Sequence, residues 1–145
     1  MKTVLFVCVH NSARSQMAEA FVNQMCDGEW EAHSAGLEPG TLNPLVVQTM
    51  QEIGFDLSAN QTKSVEDMIK TGRQFDYVIT VCDGANAERC PIVPGKATRL
   101  HWSFSDPSGF QGAQEDKLAK TRAVRDSIRQ QIEQWCSEVC CVAAP

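Results

Sequence analysis

No stretch of this chain approaches the ~18 consecutive apolar residues that a membrane-spanning helix needs, so a helical span is not expected. No basic cluster is long enough to follow a nucleic-acid backbone. With 13 Lys and Arg against 18 Asp and Glu the net charge is −5, and nucleic acid is not an expected partner. The same sign means that an anionic ligand gains nothing from long-range attraction, so a local pocket has to hold it. CxxC pairs are absent, and with them zinc-ribbon spacing. Internal repeats and low-complexity segments are absent too.

What the chain does have is seven cysteines: Cys8, Cys26, Cys82, Cys90, Cys136, Cys140 and Cys141. The start, MKTVLFVCVHNSARS, imitates a secretory leader. Its apolar stretch is shorter than the ~7–15 residues of a leader core and runs into His10 and Asn11, not a small-residue cleavage site. The segment reads as a first strand and the protein as cytoplasmic. An odd cysteine count without a secretion signal argues against a disulfide framework, which leaves thiol chemistry as the leading use of some of them.

The 145 residues suit one domain with a real core, residues 1–145. TVLFVC (3–8) is a continuous apolar run, as in a strand covered on both faces. A helix is predicted over 14–27, with Met17, Phe21 and Met25 on one stripe, Ala18 and Val22 beside it, and Gly28 closing it. EAHSAG (31–36) reads as a second strand. A helix over 43–54 has Asn43 as N-cap, Pro44 in its first turn, Val46, Met50 and Ile53 facing in, and Gly54 at its end.

A short helix is expected over 64–70, strands over 75–82 and 97–102, and a last helix over 114–139. Leu118, Val124, Ile128, Ile132, Trp135 and Val139 form the inward face of that last helix. Strands alternating with helices imply an α/β fold: a parallel sheet with helices on both faces. Ligands then bind beyond the carboxyl ends of the strands, where Cys8, Cys82 and Asp106 should converge.

The segment from Cys8 to Arg14 carries the chemistry. A loop that leaves a strand and opens a helix can turn its backbone N–H groups inward as an anion nest, and the helix dipole adds positive charge there. Both stabilise a thiolate and an incoming oxyanion. Arg14 offers a planar fork for two oxygens, and Ser15 can donate a hydrogen bond to the Cys8 sulfur. Cys8 is therefore the candidate nucleophile and Arg14 its anion clamp. His10, Asn11, Ser12, Ala13, Arg14 and Ser15 would line the substrate. The ordinary alternative is a buried cysteine ending a strand, with Arg14 in a surface ion pair.

This stretch resembles the low-molecular-weight protein tyrosine phosphatase fold. Taken with HSAG, NP, VCDGANAERCP and HWSFSDPS, NSARSQMAEA is more similar still to the thioredoxin-coupled arsenate reductases built on that fold. The resemblance runs in order from residue 3 to about 135. It implies a three-layer sandwich around a four-stranded parallel sheet in the order 2-1-3-4, and a monomer. It also implies Cys8 as nucleophile, Arg14 as oxyanion clamp, Asp106 as general acid, and Cys82 and Cys90 as two further redox cysteines. Thioredoxin is the implied reductant.

A phosphatase needs one thiol, whereas reducing arsenate to arsenite needs two electrons. On that reading Cys82 attacks the Cys8–arsenic adduct and Cys90 then attacks Cys82. The intervening DGANAER is polar and contains Gly84; family members usually place one residue fewer there. Phosphotyrosine phosphatases of this fold carry tyrosines after the Asp-Pro pair, but here Ser108 and Gly109 follow, and the single tyrosine is Tyr77. That departure counts against an aryl phosphate. Ala13 replaces a second loop cysteine, so no disulfide can trap Cys8 within the loop. The alternatives are a phosphatase using Cys8, Arg14 and Asp106 alone, and a non-catalytic oxyanion-binding regulator.

Some arsenate reductases of this kind hold a potassium ion near the loop, and Asn11, Glu19 and Ser34 match the positions used. The expected acidic ligand is missing, with Lys63 and Ser64 in its place; Lys63 is expected to supply the charge a cation would bring. His10 reads as solvent-facing and His33 and His101 as structural. Cys26 reads as an apolar filler, and Cys136, Cys140 and Cys141 as surface or frayed-end thiols.

Overall fold

The computed structural model describes residues 2–8, 10–11, 13–26, 30–38, 40–72, 74–81, 97–104, 107 and 110–143, with side chains as far as Ser137. Four strands, β1 (Lys2–Cys8), β2 (Trp30–Gly36), β3 (Tyr77–Thr80) and β4 (Thr98–His101), form one sheet in the order β2-β1-β3-β4. Every pairing is parallel. The helices are α1 (Arg14–Met25), α2 (Pro44–Gln51), α3 (Val65–Lys70) and α4 (Gln114–Ala143).

β1 lies between β2 and β3 and is buried on both faces, with Val4, Leu5, Phe6 and Val7 all fully covered. Side chains alternate along a strand. Val4, Phe6 and Cys8 accordingly join the core that includes Met17 and Phe21 of α1, Val46 and Met50 of α2, and Ile128 and Ile132 of α4. Leu5 and Val7 join the smaller core with Val65 and Met68 of α3. Cys8 thus emerges on the α1 side because it is two residues from Phe6.

The local signals act where the sequence places them. The Asn43 side chain accepts from the Leu45 N–H at 2.9 Å, capping α2 with Pro44 in its first turn. Gly54 leaves that helix at φ 90°, in the left-handed region that costs glycine nothing. Ser64 caps α3 by accepting from Glu66 and Asp67, and Gly36 donates to the Lys63 carbonyl at 2.8 Å, docking this segment on β2. β3 and β4 are shorter than predicted because the β1–β3 ladder spans only Val4–Val7.

On α4, Leu118, Val124, Ile128, Ile132 and Trp135 are buried as expected. Thr121 and Arg125 join them: the Thr121 hydroxyl bonds back to the Lys117 carbonyl, and Arg125 donates to Thr49 O and Glu52. Trp135 packs 4.6 Å from Trp30 and 6.0 Å from Trp102, ring centre to ring centre.

Two cysteine expectations need correction. Cys26, which ends α1, is bonded to Cys136 on α4, with Cα atoms 6.1 Å apart. Cys26 is therefore no simple filler and Cys136 no frayed-end thiol. Packing of α1 on α4 brings together residues 110 apart in sequence, and an odd total does not forbid one pair. The Gly28 closure of α1, the Val139 side chain and the side chains of Cys140 and Cys141 lie outside what is described.

Candidate active site

Cys8 ends β1 at the carboxyl rim of the sheet and is 2 % exposed. Its sulfur accepts the Asn11 N–H at 3.0 Å and lies 2.9 Å from the Ser15 hydroxyl. The Asn11 N–H reaches it because Asn11 has φ 54°, a left-handed conformation that asparagine tolerates better than most residues.

That backbone is held from the side. Asn11 Oδ1 accepts from the Lys63 N–H at 2.8 Å and from Gln16 Nε2 at 3.1 Å. Both are donors only, so the amide orientation is fixed and Asn11 Nδ2 must face Ser15 Oγ, 2.7 Å away. With a lone pair of Ser15 Oγ so engaged, its proton is free to point at Cys8. The sulfur then has two donors aimed at it, the Asn11 N–H and the Ser15 hydroxyl.

Gln16 was not singled out by its sequence pattern, yet it is fully buried and ties the loop to the segment before α3. Its Nε2 also donates to Asn11 O at 3.2 Å and Gln61 O at 3.1 Å, and its Oε1 accepts from Asn60 at 3.2 Å. A glutamine just ahead of an apolar stripe carries no signal of this; only the fold shows that its side chain turns inward.

Arg14, the first residue of α1, is 3 % exposed, and its Nη1 donates to the Phe104 carbonyl at 3.1 Å. The guanidinium therefore joins the Cys8 loop to the segment after β4. Among the described residues no side chain caps the start of α1, and its first turn carries no acid. The first-turn amides and dipole face the loop instead. Ala13 is buried beneath. His10 is exposed, its ring Nδ1 3.0 Å from the Glu38 carbonyl. His33 packs against Phe75 and Glu31, and the ring of the exposed His101 meets the Thr80 hydroxyl.

Ser12, Cys82, Cys90 and Asp106 lie outside the described residues. Their approaches do not. Val81 donates to Val7 O at 2.9 Å, so the chain leading into Cys82 leaves the sheet beside Cys8. Phe104, two residues before Asp106, is held by Arg14. A cleft of about 580 Å³ lined by Phe104, Phe110, Lys120, Val124 and Gln131 shares Phe104 with this site.

Two of the three residues matched to a potassium site, Asn11 and Glu19, are already engaged by other partners. Lys63 Nζ stands 3.8 Å from the Glu19 carboxylate, and Asn11 Oδ1 already accepts two hydrogen bonds. An alkali cation needs uncommitted oxygen lone pairs, and here an ammonium supplies the charge. Burial raises the Glu19 pKa above its ordinary value, while Lys63 and the neighbouring Ser34 pull it back down. The Ser34 hydroxyl is buried beside that carboxylate but outside strict hydrogen-bond geometry. No cluster of three or more His, Cys, Asp or Glu side chains is disposed to hold a metal among the described residues. No described helix is long and apolar enough to cross a membrane.

The family model for low molecular weight phosphotyrosine protein phosphatase matches residues 3–141. An arsenate reductase of Bacillus subtilis (strain 168) is 41% identical over 134 residues, covering 92% of this chain and 94% of that protein. Among solved structures, an arsenate reductase in the phosphate binding state superposes with TM-score 0.77 at 29% identity, covering 95% of this chain and 98% of the other. An arsenate reductase in oxidized state gives 0.77 at 28% identity, with 96% and 99% covered.

Proposed function

The chain belongs to the low-molecular-weight phosphotyrosine protein phosphatase family of enzymes, and we propose that within it the protein reduces arsenate to arsenite through three cysteines. The observation that carries the proposal is the Cys8 sulfur itself, with the Asn11 N–H and the Ser15 hydroxyl on it at the mouth of α1. A thiolate held there faces the helix dipole and the Arg14 fork, which grips two oxygens of a tetrahedral anion.

Cys8 attacks arsenic, an oxygen leaves as water with a proton from Asp106, and an arsenic–sulfur bond forms. The Cys82 thiolate then attacks the Cys8 sulfur. The electron pair of the arsenic–sulfur bond passes to arsenic, arsenate leaves as arsenite, and Cys8–Cys82 is the disulfide formed. Cys90 attacks Cys82, which frees Cys8 and moves the disulfide outward. A dithiol protein, thioredoxin, reduces Cys82–Cys90. Support for the relay is the placement of Val81 beside Val7 and the identity to arsenate reductases over most of the chain. The protein works as a cytoplasmic monomer of one domain.

Lys63 is a positioning residue: its N–H fixes Asn11 and its ammonium faces Glu19. No step of this reading calls for a potassium ion.

The test is arsenate-dependent NADPH oxidation with thioredoxin and its reductase. Wild type turns over repeatedly, and Cys82→Ser and Cys90→Ser do not; full multiple turnover in both variants rejects the relay. A second reading, a phosphatase, is favoured by the fact that the Cys8 cup and Arg14 need no other thiol. Brisk hydrolysis of p-nitrophenyl phosphate without arsenate reduction would select it.

A further inference from the structure

The Cys26–Cys136 bond takes no part in the chemistry above. Cys8 lies at the carboxyl end of β1, while α1 runs twelve residues from Arg14, about 18 Å, before Cys26. The Cys26 carbonyl accepts from the Trp30 N–H at 3.2 Å, and Trp30 pairs with Lys2 at the amino end of the sheet. The two sulfur sites thus occupy opposite rims, too far apart for exchange within the folded chain.

We propose that Cys26 and Cys136 form a second thiol–disulfide couple, a reversible modification site that locks α1 to α4. Their Cα separation of 6.1 Å lies within the ~4.4–6.8 Å range that a disulfide spans. Access is one-sided. Cys26 is 4 % exposed and packed among core residues, whereas Cys136 is only partly buried. Opening therefore starts at Cys136: a thiolate of a dithiol reductant attacks its sulfur, and the electron pair of the broken bond leaves on Cys26, which takes up a proton. The reductant's second thiol then displaces Cys136 and carries away the disulfide. Closure is the reverse, with a low-molecular-weight disulfide such as glutathione disulfide accepting the two electrons and leaving as two thiols.

The bond joins residues 110 apart, so it restrains most of the unfolded chain and its state is read in stability. It also sits beside two indoles packed at a tilt: Trp135 precedes Cys136, and the Trp30 N–H donates to the Cys26 carbonyl. Disulfides quench nearby indole emission, so opening is read in fluorescence as well.

The experiment equilibrates the full chain in glutathione buffers of graded poise, traps thiols by alkylation and maps linked peptides by mass spectrometry. The same samples are melted and their emission recorded. The expected result is a 26–136 linked peptide that appears and disappears reversibly. The reduced chain should melt roughly 10 °C lower and emit more brightly. Cys136→Ser should hold both readouts at the reduced values in every buffer; if it does not fold, the wild-type titration decides alone. Absence of the linked peptide in all buffers overturns the proposal, as does a wild-type melting point that moves no further than that of Cys136→Ser. None of these readouts involves turnover, so failure here is distinct from failure of the arsenate reductase reading.

Discussion

Asn11 aims its backbone N–H at the Cys8 sulfur from 3.0 Å, and does so from a left-handed backbone that its own side chain secures against Lys63 and Gln16. One residue thus joins the reacting sulfur to a segment more than fifty positions away.

Asn11→Ala removes the side-chain anchors and puts at φ 54° a residue that tolerates the left-handed region less well than asparagine does. A loss of about 30-fold in kcat/KM for arsenate, about 2 kcal/mol of transition-state stabilisation, is expected in steady-state assays. Asn11→Gly accepts the same φ and should recover part of it. An Asn11→Ala enzyme of undiminished activity would show that the loop keeps its shape without this anchor.

Gln16→Leu keeps bulk but strands the Gln61 carbonyl and the Asn60 amide in a part-buried place. Urea unfolding should show a loss of about 2 kcal/mol. A midpoint equal to wild type would mean that water replaces the missing amide.

Glu19 sets a pH dependence with a definite sign. Its folded pKa is raised above 4.5, first by burial, with Lys63 opposing the rise. Between 4.5 and that raised value the folded chain binds more protons than the unfolded one, so its contribution to stability falls as pH rises. Below 4.5 the contribution is fully present. Urea midpoints for wild type and Glu19→Gln, compared from acid to neutral pH, should show wild type losing ground as pH rises through that window. A difference that is flat or grows with pH would reverse the assignment.

Exchanging potassium for sodium at constant ionic strength should leave kcat/KM for arsenate within about twofold, because the Lys63 ammonium already faces Glu19. Strong activation by potassium alone would require the Lys63 side chain to swing away and would reject the ammonium's role.

Much of the scaffold was legible because its signals are local. The run Val4–Val7, the caps Asn43 and Ser64, and the stripe from Leu118 to Trp135 each declare an element within a few residues. Cys8 and Arg14 could be placed for the same reason: a strand end and a helix start fix where a side chain emerges. What stayed hidden depends on meetings between distant segments. Gln16 looks like any polar helical residue until Asn60 and Gln61 close over it, and nothing near Cys26 announces Cys136. β3 and β4 ended early because their length is set by neighbouring strands and not by their own apolar runs.

β1 places Val4, Phe6 and Cys8 toward α1 and turns Leu5 and Val7 the other way. The nucleophile is consequently tied to an even count along one strand. Inserting or deleting a single residue between Val4 and Cys8 would leave composition and hydrophobicity almost unchanged, yet would deliver the sulfur to the wrong side of the sheet. A second inserted residue would bring the sulfur back to the α1 side.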